Sequence, residues 1–372
     1  MARIVRKYGG SSLREPEQLR AVAKILADMK WNGDELVIVV SAMARTTDEL
    51  ISLARDLNPD PPKREMDMLL SVGERISCSL LAMALEAEGV PAVSYTGSQV
   101  GIITDTHHGE ARIVDVRPTR LLKALEADQV VVVAGFQGVS IDKEITTLGR
   151  GGSDLTAVAL AAAIKADRCE LMKDVDGLYS AHPGVVEEAK IIEKLDFESA
   201  LRMARGGTKA LQSEAARLAR DHNVTLALGN SSTDQIGTII TDRPFDCGEV
   251  VGIARRDGLT RSQGTGSVPH VDGWCRVVQQ RGRWVLWSDA DSSDQGPLSG
   301  LTVVTSGRPV KGLQEAIVEE LQKKHTIETM GMIATDAEIW LCVETTLADE
   351  ALSRLHQMMS RRGWLMLHES AE

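Results

Sequence analysis

Near the amino terminus, Lys7 stands just ahead of a glycine pair in Val5-Arg6-Lys7-Tyr8-Gly9-Gly10-Ser11-Ser12. Bare backbone N–H groups at glycine can close on phosphate oxygens, and a lysine adds a point charge at the same place. The order reverses that of the familiar phosphate loop, in which the lysine follows the glycines. A second loop, Leu148-Gly149-Arg150-Gly151-Gly152-Ser153-Asp154, opens into an alanine-rich helical run and again offers N–H groups and a positive dipole end to an anion. Two such loops imply two anionic clients. Arg150 can grip a carboxylate through two hydrogen bonds. Asp154 is either an acid that favours the helix end or a group that orients cations, Lys7 among them.

Three further stretches carry polar groups where ligands gather. Ser41-Ala42-Met43 ends the apolar run Leu36–Val40, and open α/β sheets bind ligands beyond the carboxyl ends of their strands. Ser41 and Thr47 either hold a small substrate there or cap the helix that starts near Thr47. Gly73-Glu74-Arg75 interrupts an apolar helical pattern, and a mid-helix glycine costs about 1 kcal/mol relative to alanine. The favoured compensation is close approach of a ligand, with Glu74 accepting from an ammonium group. The other is helix packing at Gly73 with a solvated Glu74. Met172-Lys173-Asp174-Val175-Asp176-Gly177-Leu178-Tyr179 ends another buried strand in an Asp-Gly turn and carries a ring able to pack near a purine. His107-His108 reads as a solvated loop. No Gly-x-Ser-x-Gly elbow is present, so hydrolase chemistry has little support.

The elements that must position these groups follow from periodicity. Up to about residue 243, short apolar runs (Leu36–Val40, Pro91–Tyr95, Gln129–Gly135, Glu170–Val175, Asn223–Leu228) alternate with amphipathic segments. Continuous apolar strands of this kind belong to sheets buried on both faces, so the pattern predicts an α/β sandwich with a mainly parallel sheet. Ser153 is the candidate cap of the helix Leu155–Ala166. Residues 244–300 turn rich in Gly, Ser and Asp, with one hairpin, Trp274–Val278 and Arg283–Trp287. Residues 301–372 then read strand Leu301–Thr305, helix Val310–Lys324, strands Ile327–Ile333 and Glu338–Val343, helix Leu347–Arg361 and strand Trp364–Leu367. That order, βαββαβ, is the ferredoxin-like α+β unit. The partition is therefore 1–243, a divergent segment 244–300, and 301–372.

The 372 residues are 43% apolar and 26% charged, with a formal net charge of −11, which lacks the basic footprint of a nucleic-acid or membrane-surface binder. Five cysteines, odd in number and scattered, have neither zinc nor redox-pair spacing and read as reduced thiols. No apolar run approaches a membrane span of ~18 residues, and no signal segment opens the chain, so a soluble, cytoplasmic protein is expected.

Taken together and in order, "KYGGSS", "VVSAM" with "TTDEL", "GERIS", "GFQG", "LGRGGSD" and "KDVDGLYSAHP" resemble the aspartate kinases of the amino-acid kinase family over about residues 1–240. The resemblance implies a three-layer αβα kinase domain, with a C-terminal unit similar to an ACT domain that regulates and dimerises. It implies that Lys7, Gly9, Gly10, Lys173, Asp174, Tyr179 and Lys209 face ATP, and that Ser41, Thr47, Glu74, Arg150, Gly151, Ser153 and Asp154 face aspartate, with Lys7 and Asp154 in the catalytic centre. The implied reaction is ATP-dependent phosphorylation of the aspartate side chain to 4-phospho-L-aspartate, the first step toward lysine, threonine and methionine. Mg²⁺ would be carried on the ATP phosphates, with no protein metal site. A homodimer through the ACT-like region and an amino-acid effector are the implied partners. The chain departs from the family pattern with Lys173 in place of a threonine, and with His182-Pro183-Gly184 in place of Asp-Pro-Arg. Two other readings stand beside this one: a paralogous kinase for a related amino-acid carboxylate, and a weakly active, amino-acid-binding regulatory paralogue.

Overall fold

The computed structural model describes residues 1–242, 250–268, 275–280, 283–289, 296–323 and 327–365. In chain order the strands and helices of the first part are β1 (Arg3–Tyr8), α1 (Pro16–Trp31), β2 (Glu35–Val40), α2 (Thr46–Leu57), α3 (Lys63–Ala87), β3 (Ala92–Tyr95), β4 (Ile102–Thr104), β5 (Ile113–Val116) and α4 (Thr119–Glu126). They continue with β6 (Val130–Ala134), β7 (Gln137–Ser140), β8 (Ile145–Thr147), α5 (Gly152–Ile164), β9 (Arg168–Lys173), β10 (Lys194–Asp196), α6 (Phe197–Gly206), α7 (Ser213–Asp221), β11 (Leu226–Asn230) and β12 (Gln235–Thr241). The remainder are β13 (Val250–Thr265), β14 (Cys275–Gln280), β15 (Arg283–Asp289), β16 (Gly296–Thr305), α8 (Leu313–Gln322), β17 (Gly331–Ala334), β18 (Glu338–Glu344) and α9 (Ala348–Arg361). The chain divides into two compact units, Met1–Gly177 with Glu214–Asp242, and Leu178–Ser213 with Arg243–Glu372.

In the first unit the strands run in the order β12-β11-β9-β1-β2-β6-β3. Every neighbouring pair is parallel except β11 with β12. The Val/Ile/Leu runs of β2 and β6 are buried residue after residue, as expected for strands covered on both faces. One face packs with α1 and α3 in a core that includes Ile4, Tyr8, Leu26, Ile38, Leu81, Leu85 and Val132. Helix α5 packs on β1, β2 and β9. Because strand side chains alternate, Lys7 projects to the face opposite Tyr8. A smaller sheet, β5-β4-β7-β8, packs beside α3 through β8. By length and composition α3 could cross a membrane, which the expectation drawn from apolar runs did not anticipate. Its buried residues include Asp67, Ser71 and Glu74 together with Leu81 and Leu85, whereas Met68, Val72, Ile76, Leu80 and Met83 are exposed.

The second unit holds an antiparallel sheet of order β14-β15-β13-β16-β18-β17. Leu313, Ile317 and Leu321 of α8 and Leu352, Leu355 and Met359 of α9 share a core with Ile253, Leu301 and Val303 of the sheet. A second cluster, Leu259, Leu298, Trp287, Trp340 and Cys342, is centred on an edge-on contact of the two tryptophans at 5.1 Å. The βαββα part of the order expected for 301–372 is present in β16, α8, β17, β18 and α9. Of the last expected strand, the described residues show a parallel bridge of Leu365 with Val250, and residues 366 and 367 lie outside the described residues. The hairpin of 274–287 is present as β14 and β15, Trp274 falling outside the described residues.

Two boundaries differ from the sequence expectation. Residues 178–213 belong with the second unit, because α6 packs on β13 and β16: a Cβ on Gly206 would meet that of Ala254 at 2.7 Å. Strands β13, β14 and β15 belong to the same sheet as β16, β18 and β17, so the described residues of 250–289 are not a segment apart. Composition hid β13 because its glycines relieve irregular pairing, with register shifts on both sides of Gly258, and because Gly264 makes room for the Trp284 ring.

Candidate active site

Lys7 is the penultimate residue of β1, and Lys173 closes the neighbouring strand β9. Asp154 lies in the first turn of α5. The Lys7 ammonium stands 2.6 Å from Asp154 Oδ1 and the Lys173 ammonium 2.8 Å from Oδ2. Asp154 is 2% exposed and Lys7 7%. Burial alone would raise the Asp154 carboxyl, but the two ammonium groups outweigh it and hold it at about 2. Burial pushes Lys173 down, and Lys7 beside it adds to that push, against the pull of Asp154. The carboxylate is thus ionised throughout the neutral range and organises two cations at adjacent strand ends. Of the two roles open to Asp154, orienting cations is the one its side chain performs.

The α5 start differs from expectation in its cap. The helix begins at Gly152, and the N-cap is Gly151 in a left-handed conformation (φ +79), which a non-glycine residue adopts only at a cost. Ser153 is therefore inside the first turn, buried, and close to Gly135, where a Cβ would lie 2.9 Å from its Oγ. The cap makes no side-chain hydrogen bond; the Gly152 N–H donates instead to the Gly149 carbonyl and the Asp154 N–H to the Gly151 carbonyl, each at 3.0 Å, which leaves the positive dipole end of the helix as what this turn offers an anion.

Glu74 reaches the same end of the sheet from α3. Its Oε1 accepts the Ala42 N–H at 3.1 Å, whereas Oε2 is buried without a hydrogen-bond partner among the described residues. Burial raises this carboxyl to about 7, against the lowering by the Ala42 N–H and the Lys7 charge. Gly73 has a packing cause, not the close ligand approach favoured from the sequence: a Cβ there would meet the Ala42 Cβ at 2.8 Å. Glu74 is nonetheless 4% exposed, so the solvated carboxylate of the alternative account does not hold either. Small residues at 42 and 73 let α3 approach the β2 end closely enough to bury Glu74 there. Gly10 serves the same junction, since a Cβ on it would lie 2.4 Å from the Ala42 carbonyl oxygen. Its own carbonyl accepts the Ala44 N–H at 3.1 Å. Gly9, by contrast, has only ordinary contacts around a would-be Cβ, the nearest being the Lys7 ammonium at 3.8 Å.

Other sequence candidates occupy the rim. Ser41 is half-buried at the end of β2, its N–H bonded to the Tyr8 carbonyl at 3.2 Å. Thr47 lies inside the first turn of α2, which has no side-chain cap, so neither Ser41 nor Thr47 serves as one. Arg150 is exposed and forms no ion pair among the described residues, and Asp174 is exposed just past Lys173. Tyr179, bridged to Ile191, and the exposed Lys209 belong to the second unit.

Sequence reasoning missed Asp67. This residue of α3 accepts from His108 Nδ1 at 2.7 Å, from the Thr147 hydroxyl at 2.5 Å, and from the Gly109 N–H at 3.1 and 3.2 Å from its two oxygens. His108 is consequently tied down, not solvated as expected, while His107 is exposed beside Asp105. The only signal available was an acidic residue recurring on the apolar face seven positions before Glu74.

Comparison with known proteins agrees with this geometry. Residues 2–230 match the model of the amino acid kinase family. The chain is 48% identical over 283 residues to an aspartokinase of Mycolicibacterium smegmatis, covering 75% of this chain and 67% of that one. It is 44% identical over 313 residues to an aspartokinase of Mycobacterium tuberculosis, covering 83% and 73%. Among solved structures, E. coli aspartokinase III in complex with aspartate and ADP superposes with a TM-score of 0.83 at 20% identity, over 96% of this chain and 99% of that one. An aspartate kinase from Synechocystis matches with a TM-score of 0.60 at 29% identity, over 100% and 71%. By fold, by sequence and by the family model, this chain belongs to the amino acid kinase family, alongside the aspartokinases.

Proposed function

We propose that the protein is an aspartate kinase, transferring the γ-phosphoryl group of ATP to the side-chain carboxylate of L-aspartate to give 4-phospho-L-aspartate and ADP. The observation that carries the reading is the buried Lys7–Asp154–Lys173 cluster at adjacent strand ends, with the unsatisfied Glu74 carboxyl facing the same junction. The relatives named aspartokinase support it.

The attacking group is a carboxylate whose reference pKa is about 3.9, so at neutral pH it is already ionised and needs no general base. One of its oxygens attacks the γ-phosphorus in line, the bond from phosphorus to the β,γ-bridging oxygen breaks, and that electron pair leaves with ADP. What such a transfer asks of the protein is positioning and stabilisation of charge on the transferring oxygens. Lys7 and Lys173 supply that charge, and Asp154 holds both in place. The glycine-rich backbones at 9–10 and 151–152 approach the anionic groups. Glu74 accepts from the α-ammonium of aspartate and Arg150 grips its α-carboxylate, with Ser41, Thr47 and Ser153 lining the space. Asp174, Tyr179 and Lys209 serve the nucleotide. Both Asp154 oxygens are engaged by lysines, so the residues here fit a Mg²⁺ ion that would be carried by the ATP phosphates and would neutralise phosphate charge there.

The ACT-like unit is proposed to pair with that of a second copy and to take an amino-acid effector, and the protein to act in the cytoplasm in the first step toward lysine, threonine and methionine. The deciding experiment is ATP-dependent acyl-hydroxamate formation with aspartate, glutamate and related acids, with and without lysine or threonine. Product with aspartate alone among the acids is expected. Product with another acid in its place would point to a paralogous kinase, and none at all to a binding protein.

A further inference from the structure

Asp67 is fully buried, at 0% exposure, and touches none of the groups assigned to substrate. A carboxylate only accepts hydrogen bonds, so His108 Nδ1, the Thr147 hydroxyl and the Gly109 N–H all donate to it. These donors come from two segments far from α3 in sequence, the loop 105–111 and the last residue of β8. The two segments are themselves joined, the Ala111 N–H donating to the Thr147 carbonyl at 2.9 Å.

Thr147 runs directly into Leu148-Gly149-Arg150-Gly151-Gly152, and a Cβ on Gly149 would lie 3.4 Å from the Gly109 carbonyl oxygen. The glycine-rich loop is therefore flanked by the segment that Asp67 holds. Arg150 has no ion pair of its own among the described residues, so its placement depends on how that loop is seated. On the other side, Glu74 follows Asp67 by two helical turns, and both are buried residues of α3. One rigid helix thus carries the carboxyl assigned to the substrate ammonium and the anchor of the loop assigned to the substrate carboxylate.

We propose that Asp67, through Thr147 and His108, is a positioning residue that sets the spacing between Glu74 and Arg150 and so measures the distance from ammonium to carboxylate in the amino-acid substrate. This rests on the functional reading above. Loosening the anchor should weaken amino-acid recognition and spare the nucleotide, because neither Lys7 nor Lys173 bonds to the Asp67 network.

The test is steady-state kinetics on the full chain with Thr147→Val, Thr147→Ser, His108→Ala and Asp67→Asn. Valine preserves the shape of threonine and removes one hydroxyl, which should raise the aspartate KM about tenfold and leave the ATP KM within about twofold. Serine restores the hydroxyl and should return the aspartate KM close to the starting value. In an Arg150→Ala background, Thr147→Val should add little further, since both changes act on one contact. Three results would overturn the proposal: an unchanged aspartate KM in both Thr147→Val and His108→Ala, a matching rise in the ATP KM, or full additivity with Arg150→Ala. Should Asp67→Asn fail to fold, the valine and serine pair still decides. A starting enzyme that releases no ADP in the presence of aspartate would overturn the functional reading, and the proposal with it.

Discussion

Two ammonium groups share the single Asp154 carboxylate and leave one surplus positive charge in a nearly dry corner. In the proposed reaction, that surplus is what an incoming phosphate would neutralise. Removing Lys7 takes away the charge at the end of β1, and Lys7→Ala should lower kcat about 100-fold or more in a coupled ADP-release assay. Near-normal turnover would shift the role to Lys173. Arg150→Ala should act mainly on the aspartate KM, because the side chain is exposed and remote from the buried lysine pair in its contacts. Glu74 makes the site sensitive to pH. Its carboxyl, raised to about 7 mainly by burial, must be ionised to accept from an ammonium. Apparent aspartate affinity should therefore improve as pH rises through about 7, and Glu74→Gln should flatten that limb while lowering affinity overall. Asp154, held at about 2, contributes no limb between pH 5 and 9. Its ion pairs stabilise the fold fully above the ordinary aspartate range and are lost only as pH falls through about 2.

Among the elements, the α3 helix has the largest share in building the site, and two missing side chains allow it. Gly73 packs on the Ala42 side chain, and Gly10 packs on the Ala42 carbonyl. Alanine at position 10 would press a methyl group to 2.4 Å from a backbone oxygen, which has little freedom to yield. Gly10→Ala should destabilise by about 1–3 kcal/mol, as overpacking does, read as a lowered Tm. Gly73→Ala gains about 1 kcal/mol of helix propensity but meets the Ala42 methyl at 2.8 Å, so its net loss should be smaller than that of Gly10→Ala. A Tm unchanged in both would mean the β2 end moves freely, contrary to tight packing around Ala42. The glycine at 73 was visible in the sequence as an anomaly, but not its cause, since the neighbour that explains it lies on the strand-end loop thirty-one residues earlier.

For the whole molecule, the division into units matters more than the order of elements. Residues 178–213 sit between parts of the kinase unit in sequence yet share the second unit with β13 and β16. A fragment cut at residue 243, the boundary suggested by composition, would leave α6 without the strands on which Gly206 packs. Such a fragment should be cleaved by protease within 178–213 at concentrations the full chain resists. Equal resistance would show that α6 is stable without the sheet.

Much was legible without coordinates. The unbroken apolar runs required a sheet covered on both faces, and the glycine loops with Lys7 and Arg150 marked the two places proposed to take anions, because periodicity, turn chemistry and charge are properties of neighbouring residues. The βαββα order of β16, α8, β17, β18 and α9 was legible for the same reason. Only the tertiary structure decided that Lys173 and Lys7 meet on Asp154, that Asp67 binds Thr147 eighty residues away, and that β13 joins the carboxyl-terminal sheet. Each of these is a contact between residues distant along the chain, and no local pattern encodes which buried carboxylate will find which donor; that choice is made when the strands and helices pack.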